Sequence, residues 1–275
     1  MGRQTHNKKQ GSGIGRVLAI PALGVALLVA IVAGSILNRP EQPEATVPST
    51  QPTLPPNPYT AEDFVDQGGY LSCTAGDALL GVDVSEHQQQ VDWQQVADAG
   101  MKFAFVRLGY RGYTVGGMYT DQYAAANLTG AKDAGLQVGA YFYSQAVTVE
   151  EAREEARFCV DFLKDHKIDL PVVFDWEFVS ADARTGQMDR TTLTDCAIAF
   201  CQTVEQAGYD AMVYFNPHIA ENFLDLLALE DYGFWLSQYD TGMDFPHRVD
   251  FWQYTCTGSV PGISGDADIN LWFVE

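Results

Sequence analysis

The strongest constraint on this chain is a rhythm. Eight short runs rich in β-branched and aromatic residues recur at 80–84, 103–108, 137–143, 171–177, 211–215, 234–238, 249–254 and 268–273. Between the early runs lie stretches with apolar residues at helical spacing, at 93–99, 121–134, 149–166 and 192–207, with a short fifth at 218–227. Strands that alternate with helices imply a parallel sheet, because a parallel pair needs a long crossover and a helix supplies it. Eight strands predict closure into a barrel. After Phe215 the gaps shorten, so the last strands are expected without full helices. The fold class is α/β: an incomplete TIM-like β/α barrel of about eight strands and about five helices. The helix at 149–166 opens with Thr148 and Glu151, a capping-box spacing in which each side chain satisfies an end amide.

Ahead of the barrel, residues 17–37 carry no charge and follow Arg3, Lys8, Lys9 and Arg16. A helix of ~20 apolar residues spans a bilayer, and the basic flank stays in the cytoplasm. The expectation is a cytoplasmic segment at 1–16, a transmembrane signal-anchor at 17–37, and everything after it outside the cell. A cleaved signal peptide, cut near Val32-Ala33-Gly34, would give a secreted protein instead, but the apolar stretch exceeds the ~7–15 residues of an ordinary signal core. Residues 38–58 hold seven of the twelve prolines and read as an extended spacer. Residues 59–275 suit one barrel domain. In its lead-in, 59–80, Phe64 and Leu71 are expected to pack on the barrel.

Charge excludes some partners. The chain has 36 acidic and 16 basic residues, and 34 of the acids but only 11 of the bases fall in 59–275. Nucleic acid is a poor partner for such a surface. An anionic lipid face is equally disfavoured for the domain itself, so contact with the membrane is left to the N-terminal helix. The five cysteines (Cys73, Cys159, Cys196, Cys201, Cys256) are an odd number in an exported chain and leave at least one free thiol. Cys159 shares an apolar stripe with Val149, Ala152, Ala156 and Leu163 and reads as buried. If a bridge forms, Cys73 with Cys256 is the pairing to expect. No Cys/His spacing suggests zinc.

In β/α barrels the site lies at the carboxyl ends of the strands, and acids stand at such ends here. They are Asp83 in Gly81-Val82-Asp83-Val84-Ser85, Asp175 and Glu177 in Phe174-Asp175-Trp176-Glu177, and Asp268 in Asp266-Ala267-Asp268-Ile269-Asn270. Residues two apart on a strand face the same way, about 7 Å apart at Cα from the rise per residue. Two carboxyls so placed, among Phe174, Trp176 and Phe178, cannot ionise independently: one keeps its proton and the other its charge. Glycoside hydrolysis uses that division, an acid for the leaving oxygen and an anion for the positive centre. Carboxylates, with His87 near Asp83, could instead hold a cation, but no metal is expected. Aromatic residues cluster at the same strand ends: Tyr141, Tyr143, Trp176, Tyr214, Trp235, Tyr239, Trp252 and Tyr254. Part of this set fills the core and part can stack on the C–H faces of sugars. Tyr214, Tyr239 and Trp252, late in their strands, are the chosen groove residues.

From Gly81 onward the sequence resembles the glycoside hydrolase family 25 lysozymes, the N-acetylmuramidases. The resemblance rests on Gly81-Val82-Asp83-Val84-Ser85 with Gln88 and Val91-Asp92-Trp93, and on Phe103-Ala104-Phe105-Val106-Arg107. It continues through Gly139-Ala140-Tyr141-Phe142-Tyr143, Pro171-Val172-Val173-Phe174-Asp175-Trp176-Glu177, Trp252-Gln253-Tyr254 and Asp268-Ile269-Asn270. Many members carry His where this chain has Phe142. The resemblance implies cleavage of the β-1,4 bond between N-acetylmuramic acid and N-acetylglucosamine in peptidoglycan, without metal or organic cofactor. A monomer is expected. It makes Glu177 the general acid and gives Asp175 the task of orienting the substrate's 2-acetamido group as nucleophile. Asp83 and Asp268 would flank the pair and bind sugar, together with Tyr141, Tyr214, Tyr239 and Trp252. The alternatives are a barrel that binds wall glycan without cutting it, and a hydrolase of another N-acetylated glycan.

Overall fold

The computed structural model of the protein describes residues 53–274. The expected cytoplasmic segment, the membrane helix and the spacer up to residue 52 lie outside them. Among the described residues no helix is long and apolar enough to cross a membrane.

Eight strands close the barrel: β3 (Ala78–Val84), β4 (Phe103–Arg111), β6 (Gln137–Ser144), β7 (Val172–Trp176), β8 (Ala211–Phe215), β9 (Gly233–Ser237), β10 (Phe251–Gly258) and β11 (Ala267–Phe273). They run in the order β3-β11-β10-β9-β8-β7-β6-β4, and β4 pairs back with β3. Every pairing is parallel except those of β11, which is antiparallel to both neighbours. The sequence rhythm predicts a parallel sheet, and the last strand departs from it. The turn from β10 to β11 contains no helix, so β11 can only return alongside β10 in the opposite direction. A short strand, β5 (Met118–Thr120), pairs antiparallel with the end of β4 and extends it as a hairpin.

Five helices cover the outside: α1 (Trp93–Asp98), α2 (Ala124–Asp133), α3 (Val149–Leu163), α4 (Arg190–Gln206) and α5 (Pro217–Asn222). None separates the last three strands, in keeping with the shortened gaps after Phe215. At the start of α3, Thr148 Oγ1 accepts from Glu151 N at 3.2 Å, while the Glu151 carboxylate takes Val147 N at 2.9 Å. The helix expected from residue 121 begins at Ala124 because Asp121 is used elsewhere, as described below.

Strand alternation separates two apolar layers. Val82, Val84, Ala104, Val106, Phe142, Phe174 and Trp252 belong to the layer under the helices. Phe103, Phe105, Tyr141, Val173, Met212, Tyr214, Trp235 and Phe251 fill the barrel. Gly81 and Gly139 make that filling possible, since a Cβ there would lie 2.5 Å from the Phe103 ring and 2.3 Å from the Phe105 ring. The lead-in forms a hairpin, β1 (Phe64–Asp66) with β2 (Leu71–Cys73). Phe64 meets Trp252 edge-on at 4.8 Å, and Leu71 N donates to Tyr254 Oη at 3.4 Å.

Two expectations are corrected here. Residues 53–58 are not free spacer: Asn57 N donates to Pro246 O and Arg248 N to Pro55 O, each at 2.9 Å, and Pro56 bridges His247. An extended proline stretch can lie against another backbone edge through its carbonyls even though proline lacks an N–H. All five cysteines are free thiols, with Cys159, Cys196 and Cys201 buried and Cys73 and Cys256 partly exposed, so the Cys73–Cys256 pairing is not formed.

Candidate active site

At the carboxyl end of the barrel a cavity of about 210 Å³ is lined by Asp83, Asp175, Glu177 and Asp268 together with Tyr141, Tyr143, Tyr214, Trp235 and Tyr239. The reversal of β11 explains how Asp268, the second residue of its strand, reaches this end: it lies directly opposite Asp83. Asp175 is flanked in register by Tyr143 on β6 and Tyr214 on β8.

Asp83 is the best-held of the acids. Its Oδ2 accepts from Gln253 Nε2 at 2.7 Å and Asn270 Nδ2 at 2.8 Å. Gln253 Oε1 in turn accepts from Tyr214 Oη at 3.0 Å and Tyr239 Oη at 3.1 Å, and Asn270 Oδ1 from Trp235 Nε1 at 2.8 Å. Each amide is oriented by its other partner so that its NH₂ points at Asp83. Burial drives the Asp83 pKa up to about 6, and the two amide donors oppose the rise. Asp268 is pushed further, to about 8, by burial and then by the charges of Asp83 and Glu177. Glu177 is raised by burial and by Asp83. Asp175 is raised well above the usual carboxyl range by burial and by Glu177 and Asp83, with Arg107 pulling the other way. Its Oδ1 is buried and has no hydrogen-bond partner among the described residues.

Arg107 is itself spoken for: Nε donates to Asp121 Oδ2 at 2.9 Å and Nη2 to Glu86 Oε1 at 3.2 Å. Asp121 also accepts from Glu86 N at 2.8 Å, which fastens the turn after β3 to the rim. Glu177, one residue beyond β7, is fixed through its backbone, because Gln145 Nε2 donates to Glu177 O at 2.9 Å. Thr185 Oγ1 donates to Gln145 Oε1 at 2.9 Å and locks that amide.

Seven of the eight residues chosen from sequence meet in this cavity. Trp252 does not. It is fully buried in the outer layer, packs on Phe64 and donates Nε1 to Gln238 O at 2.8 Å. Its neighbours Phe251 and Gln253 are the inward residues of β10. Phe142, where the family more often has His, also faces outward, onto Phe158 at 5.4 Å, and does not touch the cavity. Gln253, Asn270, Arg107 and Gln145 were missed. Strand alternation could have found Gln253, two residues after an inward Phe251; Gln145 sits in a loop and leaves no local signal. His87 lines the cavity, but no group of three or more His, Cys, Asp and Glu side chains among the described residues is arranged to hold a metal ion.

The model of the glycosyl hydrolases family 25 matches residues 82–263. The chain belongs to that family. It is a glycoside hydrolase of the lysozyme type. Lysozyme M1 of Streptomyces globisporus is 29% identical over 207 residues, covering 70% of this chain and 67% of that protein. The uncharacterized protein YegX of Escherichia coli K12 is 28% identical over 236 residues, covering 76% and 78%. Among solved structures, the autolysin LytC of Streptococcus pneumoniae superposes with a TM-score of 0.65 at 24% identity, over 76% of this chain and 52% of that one. The chain thus spans about half of LytC. A family 25 glycosyl hydrolase of Bacillus anthracis gives 0.63 at 22% identity, over 77% and 95%. These two likenesses concern the fold.

Proposed function

We propose that the barrel hydrolyses the β-1,4 bond between N-acetylmuramic acid and N-acetylglucosamine in peptidoglycan. Family membership supports the substrate class, and LytC has been solved in complex with a synthetic peptidoglycan ligand. The observation that carries the mechanism is the buried Oδ1 of Asp175, without a hydrogen-bond partner among the described residues, beside a Glu177 whose pKa is raised. A buried carboxylate oxygen without a donor is costly unless a ligand supplies one.

In this reading Glu177 gives its proton to the glycosidic oxygen as the C1–O bond breaks. The carbonyl oxygen of the 2-acetamido group closes on C1, and its N–H donates to Asp175, which steadies the charge of the resulting ring. Water then attacks C1, loses a proton to Glu177 and reopens that ring, so the anomeric configuration is retained. Asp83 and Asp268 bind sugar, and the charge of Asp83 helps to keep the proton on Glu177. The carboxyl-separation rule for glycosidases presumes a protein nucleophile and does not apply to this route.

The decisive assay is release of reducing sugar from purified peptidoglycan by residues 53–275, with Glu177→Gln alongside. The substitution keeps the shape but removes the carboxyl proton, so activity falls by at least ~10²-fold. New reducing ends on N-acetylmuramic acid support the bond assignment; ends on N-acetylglucosamine refute it. Wall binding by both proteins without release would make the barrel an adhesin. We further propose that the uncharged segment 17–37 anchors the protein in the cell membrane with the barrel outside, within reach of the wall.

A further inference from the structure

The last register pair of β7 with β6 is Trp176 with Ser144, so Glu177 lies one residue beyond the ladder. Its support must come from elsewhere. Residues 177–189 form the loop between β7 and α4, and two consecutive members of that loop return to the acid's surroundings. Thr185 is fully buried, and the Arg184 side chain is only 15% exposed.

We propose that Arg184 is a positioning residue for Glu177: its guanidinium fixes the main chain of Gln145, and the Gln145 side chain holds the main chain of the acid. The proposal rests on the reading of Glu177 as the general acid of a glycan hydrolase.

Three features support it. The first is the grip itself. Arg184 Nη1 donates to Gln145 O at 2.5 Å and to Glu151 Oε2 at 2.9 Å, while Nη2 donates to Glu151 Oε1 at 2.7 Å. A carboxylate held through both oxygens fixes the plane of a guanidinium as well as its place. The second is the state of Gln145, which is fully buried. Thr185 Oγ1 donates to its Oε1, and its Nε2 donates to Ser144 O and Glu177 O, each at 2.9 Å. With oxygen and nitrogen both engaged the amide cannot turn over, so neighbouring residues of one loop grip the main chain and the side chain of the same glutamine. The third is the anchoring of the far end. Glu151 lies in the first turn of α3 and also takes Val147 N, and Arg184 N donates to Tyr113 O in the β4–β5 turn at 3.0 Å. Burial would raise the Glu151 carboxyl, but its bonds to Arg184 and Val147 N and the charges of Arg184 and Arg111 hold it below its ordinary range. The pair therefore stays ionised while Glu177, whose pKa is raised, carries its proton. Arg184 is absent from the lining of the catalytic cavity, so its effect on the reaction passes through Gln145.

The test is a double-mutant cycle. Soluble strands of alternating N-acetylglucosamine and N-acetylmuramic acid are given to the parent, Arg184→Met, Gln145→Met and the double variant. Arg184→Met keeps an unbranched stem and removes every donor. Its kcat is expected to fall about tenfold with KM little changed, and the double variant to be no slower than Gln145→Met, because the route to the acid is already cut. Additive losses, no loss, or a change confined to KM would overturn the role and leave the hydrolase reading intact. Should Arg184→Met not fold, Arg184→Lys takes its place in the cycle, since it keeps the charge beside Glu151 without the planar fork. If the parent cuts nothing, the hydrolase reading fails and NMR titration of the Glu177 carboxyl, assigned by its loss in Glu177→Gln, decides the positioning. Its midpoint must then move towards the ordinary 4.5 equally in the Arg184 variant and in Gln145→Met, as the displaced acid gains water; a midpoint that stays at the parent's value rejects it.

Discussion

Asp83 and Asp268 face each other directly across antiparallel strands β3 and β11. Like charges in that relation repel, and the site resolves the conflict unequally: both amide donors go to Asp83, and Asp268 keeps its proton up to about pH 8. A carboxyl whose folded pKa is raised makes the native state the better proton binder. Its contribution to stability is therefore complete at low pH and is lost as pH rises from the ordinary 3.8 towards about 8. Asp268→Asn should melt with the parent near pH 4 and above it at pH 8.5, by about 2–4 °C for each kcal/mol of strain relieved. Thermal melts at the two pH values check this.

Asp83 should set the alkaline limit of catalysis. Its negative charge, after burial, is what raises the pKa of Glu177. Activity that needs a protonated Glu177 is lost as pH climbs through that raised value. In Asp83→Asn the alkaline limb of kcat/KM should move to lower pH. A limb that stays in place would mean that another group sets it.

Gln145 positions the acid without touching substrate, through the bond from its Nε2 to Glu177 O. Gln145→Met keeps the length and removes the donor. Because displacement of a reacting group by ~1 Å can cost ~10²-fold, we expect kcat to fall by about 10- to 100-fold with KM little changed. A role confined to packing would lower the melting temperature and leave kcat alone.

Arg111 and Glu155 form a buried pair behind the site, Nε to Oε1 at 2.6 Å, and Glu155 also accepts from Ser144 Oγ at 2.6 Å. Arg111→Met strands a buried carboxylate and should cost about 3–5 kcal/mol in denaturant unfolding. Replacing Glu155 by Met in the same chain should return most of that loss, since two apolar side chains of similar volume need no compensation.

Much of this was legible because it is local. The alternation of strands and helices and the acids at the strand ends are written in neighbouring residues, and Asp83, Asp175, Glu177 and Asp268 do converge. What could not be read depended on partners far along the chain. The reversal of β11 follows from a missing helix, and the run 268–273 looks the same in either direction. Trp252 was misplaced because in β10 the inward residues are Phe251 and Gln253, a parity fixed only by the pairing with β9 and β11. Asp121 reads as the start of a helix, yet its carboxylate serves Arg107, which lies 14 residues earlier. The prolines at 55 and 56 signal an extended chain correctly, but composition says nothing of the backbone edge at 246–248 against which they lie.

The antiparallel closure has an engineering consequence. Phe273 pairs with Ala78, and Val274 N donates to Asp77 O at 3.1 Å, so the first and last barrel strands meet at the pole opposite the carboxyls. A few residues could join Val274 to Asp77, and new ends could be opened at the exposed turn before β6. Such a circular permutant, which gives up the lead-in before Asp77 and its packing on Trp252, would keep every barrel pairing and leave the catalytic mouth clear, which makes that opposite pole the natural socket for fusing this barrel to another module.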